Sequence, residues 1–385
     1  MEIKVLHDVA VSPNWAAQEK CACAFPIPCV LQNGDVLCLY RRGETKHSHD
    51  GVLIVQRSRD SGQSWEEPVT VYDGLDKSVP ESSHAGAVGQ AQDGTLVAMF
   101  TTVANAQADT YVFSTAGREL GQKFYVASSN DDGASWSAQE HVIPNAPRLT
   151  YINSRPVMLS DGDLLVPLEA TIEEENSERT RQCILFARYS VKSKQFGPAI
   201  RVADDPTGKL SFGDPRLTRL ADGRLLMLMW TFLNDTEETI AAHKCISKDD
   251  GVTWTTPVAT DLLCQIPTPL EIDSTHMIAA GNLRVPPAGN RIWHSCDEGK
   301  TWNICAPIQL WDVEQGRIIN EKVDNGIPDR KPQEEGTKIW NELPNFTFGT
   351  PDLVRLEDDT VLFTYYATLD DIIHVRACCM QPIFS

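Results

Sequence analysis

Along this chain apolar and polar residues alternate in short runs of strand length, and each run ends at a turn signal. Six stretches share one form: an apolar strand, a tight turn and a second apolar strand. They read PCVLQNGDVLCLY, GAVGQAQDGTLVAMF, RPVMLSDGDLLVPLE, PRLTRLADGRLLMLMW, TPLEIDSTHMIAA and PDLVRLEDDTVLFTYY. Asn-Gly, Asp-Gly and similar pairs between such runs are the strongest short-range sign of a β-hairpin. The turns centre near Gly34, Gly94, Gly162, Gly223, Ser274 and Asp359. No long segment carries the helical period with caps.

A second repeat lies between the hairpins. SRDSGQSW, SNDDGASW, SKDDGVTW and SCDEGKTW follow one pattern, Ser-x-Asp-x-Gly-x-Ser/Thr-Trp, ending at Trp65, Trp136, Trp254 and Trp302. The Asp carboxylate is expected to bond backbone N–H groups of its own turn, Gly to supply a positive φ, and Trp to fold back as an apolar plug. YSVKSKQFGPAIRV is a degenerate fifth copy with Phe196 in place of Trp. Repeats of strand, turn, strand, strand and Asp box predict an all-β fold, a six-bladed β-propeller with four-stranded antiparallel blades, as one domain over 1–385. MEIKVLHDVAV is predicted to add the outer strand of the last blade, so that no sheet edge stays unpaired at the seam. Residues 303–345, rich in Pro, Gly and charge, predict a long insertion over one face before the last blade, where lids or partner contacts are common.

Charge and composition narrow the function. A net charge of −19 repels phosphate backbones and anionic lipid heads, so neither nucleic acid nor membrane is expected as a partner. No apolar run reaches the roughly 18 residues of a membrane span, and the first residues lack the pattern of a signal peptide. Eleven cysteines, an odd number, suit reduced thiols and a cytoplasmic location better than a disulfide framework. Cys21-x-Cys23 and Cys378-Cys379 have no second cluster at zinc-ligand spacing, so no metal and no other cofactor is expected. Composition and spacing leave the oligomeric state open.

The Asp boxes and hairpins, over nearly the whole chain, resemble the sialidase-like, Asp-box (BNR-repeat) β-propeller superfamily. That resemblance implies a central funnel with three arginines on a substrate carboxylate, an Asp acid/base, and a Glu that polarises a Tyr nucleophile. The family's Phe-Arg-Ile-Pro corresponds to Phe25-Pro26-Ile27-Pro28, so one arginine is replaced. Arg41 and Arg42 resemble family arginines at the end of the next strand. Asp50 falls near the acid/base position in the loop RRGETKHSHDG, preceded by His47 and His49. Asp214 stands at the Glu position of blade four and Trp230 at an Arg position. Arg284 and Arg291 are candidates for the third arginine, and Thr350 stands where the Tyr belongs. Loss of two guanidiniums removes the bidentate clamp, and loss of the Tyr removes the nucleophile. The fold therefore carries over, and ordinary sialidase chemistry does not.

The inner-strand starts nonetheless bring polar residues toward the axis: Glu81 and His84, Asn153 and Arg155, Asp214 and Arg216, and Asp352. Asp50, His84, Asp214 and Asp352 are the candidate catalytic groups. Arg41, Arg42, His49, Glu81, Arg155, Arg216, Trp230 and Arg284 are the candidate substrate contacts. Each also has a plainer reading: Asx-turns for the two Asp-Pro neighbours, a packed imidazole for His84, a structural ion pair for Arg155, a core aromatic for Trp230 or Tyr365 and Tyr366. Three functions stay open. One is a glycoside hydrolase acting on a sugar other than ordinary sialic acid, with Asp50 and Asp214 or Asp352 as acid and base. Another is a lyase-like enzyme in which His84 with a Tyr abstracts a proton and Arg155 neutralises a uronate. The third is a propeller that only binds glycan or protein.

Overall fold

The structure, a computed structural model, describes residues 1–12, 22–104, 122–173, 180–284, 287–303, 307–322 and 346–384. Among them there is no helix, and the strands form six separate antiparallel sheets. These are the blades of a six-bladed propeller. Their inner strands are Ala22–Val30, Glu81–Gln90, Leu149–Tyr151 with Val157–Met158, Leu210–Arg219, Gln265–Glu271 and Phe348–Arg355. Blades one, two, four and six have four strands each. Blade three has split inner and outer edges, and blade five carries a fifth strand, Arg317–Lys322.

The reason for near-continuous apolar runs is that each blade is buried on both faces. In Val36–Gly43 of blade one, Val36, Cys38 and Tyr40 pack toward blade six, while Leu37 and Leu39 pack toward blade two. The same alternation around the ring gives six inter-blade cores, one at each junction. At the seam, Glu2–Ala10 pairs with Ile372–Ile383, from Glu2 opposite Ile383 to Ala10 opposite Arg376, as the sequence predicts. Tyr365 belongs to this seam, its hydroxyl 3.0 Å from the Asp8 carboxylate.

The four Asp boxes repeat one hydrogen-bond network. In the first, Ser58 Oγ donates to Asp60 (2.8 Å), Asp60 accepts from Ser64 N–H (2.8 Å) and Ser64 Oγ (2.6 Å), and Gly62 N–H donates to Ser58 Oγ (2.8 Å). Asp131, Asp249 and Asp297 occupy the same place in their boxes. Ser61 and Gly62 have φ of 58° and 83°, the two successive positive values that a tight turn of this hand needs. The tryptophans lie away from the axis, each in the core shared with the preceding blade. Phe196 packs on Tyr189, 5.0 Å between ring centroids, where the degenerate fifth copy was expected.

The segment from Asn303 to Asn345 begins as part of blade five, with strands Ile308–Asp312 and Arg317–Lys322. Ile308, Leu310 and Trp311 are buried against blade six, which ties this stretch to the sheet. Residues 323–345, and Cys21, lie outside the described residues. All nine described cysteines are free, and only Cys296 is exposed.

Candidate functional site

One device repeats in the inner strands. Register slips at Phe25-Pro26, His84-Ala85, Asp214-Pro215, Ile266-Pro267 and Thr350-Pro351. In blade three the strand is broken outright, and Asn153-Ser154-Arg155-Pro156 occupies the break. Proline fits at a bulge because it has no ladder N–H to give. Phe25, Asp214, Ile266 and Thr350 adopt φ of 61°, 45°, 54° and 44°, values uncommon for side-chain-bearing residues and costly without support from their surroundings. Six blades thus present Phe25, His84, Asn153, Asp214, Ile266 and Thr350 at one level.

Contacts join most of these into a single mouth. The Phe25 ring lies 5.3 Å from His47, 5.5 Å from His84 and 5.8 Å from Tyr366, linking blades one, two and six. His47 Nδ1 is 3.2 Å from His84 Nε2 with the rings stacked, and His84 meets Tyr151 of blade three edge-on at 6.0 Å. Asn153 Nδ2 donates to Glu169 Oε2 (3.1 Å) and to Asp214 Oδ1 (3.2 Å), joining blades three and four. Arg284 of blade five bonds Tyr366 of blade six, and its charge acts on Asp214. A Cβ on Gly349 would lie 2.8 Å from Arg284 Nη2 and 3.1 Å from the Tyr366 hydroxyl, so only glycine leaves room for this pair.

The carboxyls form a close pair. Glu169 Oε2 also accepts the Asp214 N–H at 2.7 Å. Burial, then the Asp214 charge, push Glu169 up to about 7. Burial raises Asp214 too, against the pull of Arg216 and Arg284. Two carboxyls bonded to the same Asn153 amide cannot both ionise cheaply. The Asp214 side chain is 18% exposed and Glu169 7%, which makes Asp214 the member facing the funnel. Around them the imidazoles and the phenol are kept uncharged. Burial holds His84 down at about 3 and His47 well below the ordinary imidazole value, and raises the Tyr366 phenol. Lys46 is also inside, 5.3 Å above the Tyr366 ring and bonded to the Phe346 carbonyl. Burial and the Arg284 charge push its ammonium down to about 7. Phe346 stacks on the Arg284 guanidinium at 3.6 Å and packs against Trp230 and Phe232.

Other predicted residues stand in the walls. Asp352, 1% exposed, lies just past its bulge and pairs with Arg155 at 3.2 Å. Arg155 also donates to Pro28 O (2.9 Å) and Leu353 O (3.0 Å). Its side chain thereby ties blade three to blades one and six. Arg41 is buried and donates to the carbonyls of Ser83 (3.0 Å), Thr45 (2.6 Å) and Ser48, which shapes the loop carrying Asp50. Although burial opposes it, bonds from Ser48 and the Glu44 N–H, with the Arg41 charge, keep the Asp50 carboxyl below its ordinary value. Arg42 is the next residue on the strand and so points to the opposite face. The Nδ1 of His49, in the Asp50 loop, is buried without a hydrogen-bond partner among the described residues.

Glu81 sits between blades one and two, where Tyr72 (2.5 Å), Lys123 (2.8 Å), Lys77 (3.2 Å) and Tyr125 (3.2 Å) all bond its carboxylate. Arg216, buried, bonds the Asn153 carbonyl and lies 3.7 Å from Asp214. Trp230 donates to Thr239 Oγ1 at 3.1 Å. Arg291 is buried in the third strand of blade five and reaches Pro287 O at 2.6 Å. Glu169, Lys46, Tyr151 and Phe346 are members of the mouth that sequence reasoning missed. The residue before Pro at four of the five bulges was a readable signal for the level of the mouth, though not for these four residues.

Known proteins supply the comparison. A family model described as a BNR repeat-like domain matches residues 34–262. No curated protein matches the chain. Among solved structures, a protein of unknown function from Dyadobacter fermentans DSM 18053 is similar with a TM-score of 0.73 and 18% identity, over 99% of this chain and 99% of that one. The Hadza microbial sialidase Hz136 is similar with a TM-score of 0.64 and 15% identity, over 93% of this chain and 65% of that one. A leech intramolecular trans-sialidase bound to 2,7-anhydro-Neu5Ac has a TM-score of 0.62 and 12% identity, over 96% and 69%. At such identities the likeness is one of fold.

Proposed function

The chain belongs to the BNR repeat-like family of sialidase-like β-propellers, and from that premise we propose that it is a glycoside hydrolase acting on a sugar other than ordinary sialic acid. The observation that carries this reading is the Glu169–Asp214 pair in the funnel. A carboxyl that keeps its proton near neutral pH is what protonation of a leaving glycosidic oxygen requires. Asp214, the exposed member, gives its proton to the leaving glycosidic oxygen, and Glu169 behind it keeps Asp214 protonated beforehand. Asp50, on a blade across the funnel and kept ionised, is the opposing carboxylate that takes a proton from the water attacking the sugar. Arg284 and Tyr366 supply hydrogen-bond donors to the sugar, and Trp230 and Phe346 an apolar wall. With Pro26, Trp230 and Thr350 in place of two arginines and a tyrosine, the funnel favours a sugar that needs no triple-arginine clamp.

The test is a panel of synthetic aryl glycosides, assayed for released aglycone with the wild type and with Asp214→Asn. The variant should keep the fold and lose on the order of a hundredfold in rate. Full activity of Asp214→Asn on a cleaved glycoside would refute the assignment. A lyase-like reading has one observation in its favour, the neutral His84 beside Tyr151, which suits abstraction of a proton next to a uronate carboxyl. An unsaturated product, in place of a hydrolysed one, would establish it. Saturable glycan binding without turnover would instead mark a binding module.

A further inference from the structure

The rim of blade five carries a cluster unconnected with the funnel. His276 precedes the second strand, Met277–Leu283; His294 is in the third, Gly289–Ser295, and Cys296 follows it. The register explains why they meet. Met277 faces Ser295 and Ile278 faces His294, so the next pair outward is His276 with Cys296. His294 and Cys296, two residues apart on an extended chain, point to the same side. One ligand atom from each of the three lies within 4.8 Å of the others. Cys296 Sγ is 3.3 Å from His294 Nε2. Sulfur and nitrogen bound to one tetrahedral Zn²⁺, at about 2.3 and about 2.0 Å, are about 3.5 Å apart, so these two already stand near ligand spacing.

The surroundings prepare the imidazoles. His276 Nδ1 lies 3.0 and 2.9 Å from the two oxygens of Asp273. A proton on Nδ1 bonded to that carboxylate leaves Nε2 with its lone pair outward, the arrangement that supports metal-bound histidines. Phe384 stacks on His276 at 4.1 Å, and the two imidazoles stack on each other at 5.4 Å. Stacking covers ring faces, fixes orientation and leaves the nitrogen edges open. The other three Asp boxes place Arg59, Asn130 and Lys248 where this one has Cys296, so the turn itself does not need the thiol.

We propose that His276, His294 and Cys296 form a surface site for a borderline-soft divalent cation, best suited to Zn²⁺, with Asp273 as the outer carboxylate and the fourth position left to water or an added ligand. Binding converts the Cys296 thiol to a thiolate and releases one proton. The test uses the full chain, stripped of metal with a chelator and titrated with Co²⁺ and then Zn²⁺. One equivalent of Co²⁺ should bind with strong tetrahedral d–d bands and a thiolate-to-cobalt charge-transfer band, both displaced by one equivalent of Zn²⁺. Cys296→Ser should abolish the charge-transfer band, and Asp273→Asn should weaken Zn²⁺ binding about tenfold or more. Thermal melts of the variants exclude loss of fold as the cause. The proposal is overturned if the wild type shows no charge-transfer band, or if Zn²⁺ affinity is unchanged in a variant carrying both Cys296→Ser and His294→Ala.

Discussion

Glu169→Gln is expected to make the protein more stable while disabling the funnel. Glu169 lies between Leu168 and Ala170 in a mostly apolar strand, 7% exposed. In the fold, burial and Asp214 raise its carboxyl from 4.5 to about 7. The folded value lies above the unfolded one, so the protonated form is the one the fold prefers. Stability is therefore complete below about pH 4.5 and declines as pH climbs through about 7. Each pKa unit is worth about 1.4 kcal/mol, so the fully ionised group costs the folded state about 3 kcal/mol. Glutamine keeps an oxygen for the Asp214 and Asn153 N–H groups and turns an NH₂ toward the Asp214 carboxylate. The variant should gain up to about 3 kcal/mol at pH 8 and almost nothing at pH 4. Thermal and urea unfolding of both proteins at pH 4, 6 and 8 would read this, with glycoside turnover measured beside it. A variant no more stable than wild type at pH 8, or offset equally at every pH, would refute the reasoning. A stabilised, inactive protein is the expected mark of a site held against its own stability.

Three further outcomes follow from the same geometry. Burial pushes the Glu81 carboxyl up, but Lys123, Tyr72, Tyr125 and Lys77 outweigh it and hold it at about 2. Its contribution is present above about 4.5 and fades as pH falls toward 2. Glu81→Gln should then cost about 1–2 kcal/mol at pH 7, discounted because both lysines are partly exposed, and less in acid, as read by melts across that range. Trp302→Ala empties a buried plug between blades four and five and should cost about 3–5 kcal/mol. Turnover per folded molecule should stay unchanged, since the residue is remote from the funnel. A fluorogenic sialoside should not be turned over at ordinary enzymatic rates of about 1–1000 per second, and such turnover would show that other groups of the funnel take the place of the lost arginines.

Sequence showed most where the physics is local. An Asp box closes within eight residues, so Ser58, Asp60, Gly62 and Trp65 announce their own turn, and four copies with six hairpins leave little but a propeller. The seam was legible because Glu2–Ala10 has the strand pattern and a ring needs its edge paired. The site was less legible because its members meet across blades. Glu169 sits in LLVPLEATIE, with nothing local to separate it from a surface carboxylate, and only Asp214 of the next blade and Asn153 in a distant strand break give it a role. His84 and Asp214 were readable, being at inner-strand starts. Asp352 shared that signal, yet it lies past the bulge and faces Arg155 in place of the mouth. The His276, His294 and Cys296 cluster escaped because its ligands come from paired strands and not from a short motif.

The seam strand also sets an order of events in time. Glu2–Ala10 emerges from the ribosome before any blade and finds its partner only when Ile372–Ile383 has emerged. Until then blade six lacks its outer strand and the ring stays open. Closing a loop of that length costs entropy before its contacts reward it, so the seam joins the most distant segments of the chain at the highest entropic cost. The same join gives a natural place for opening to begin, and a protease or a pulling force applied to the first strand would act on the whole ring at once.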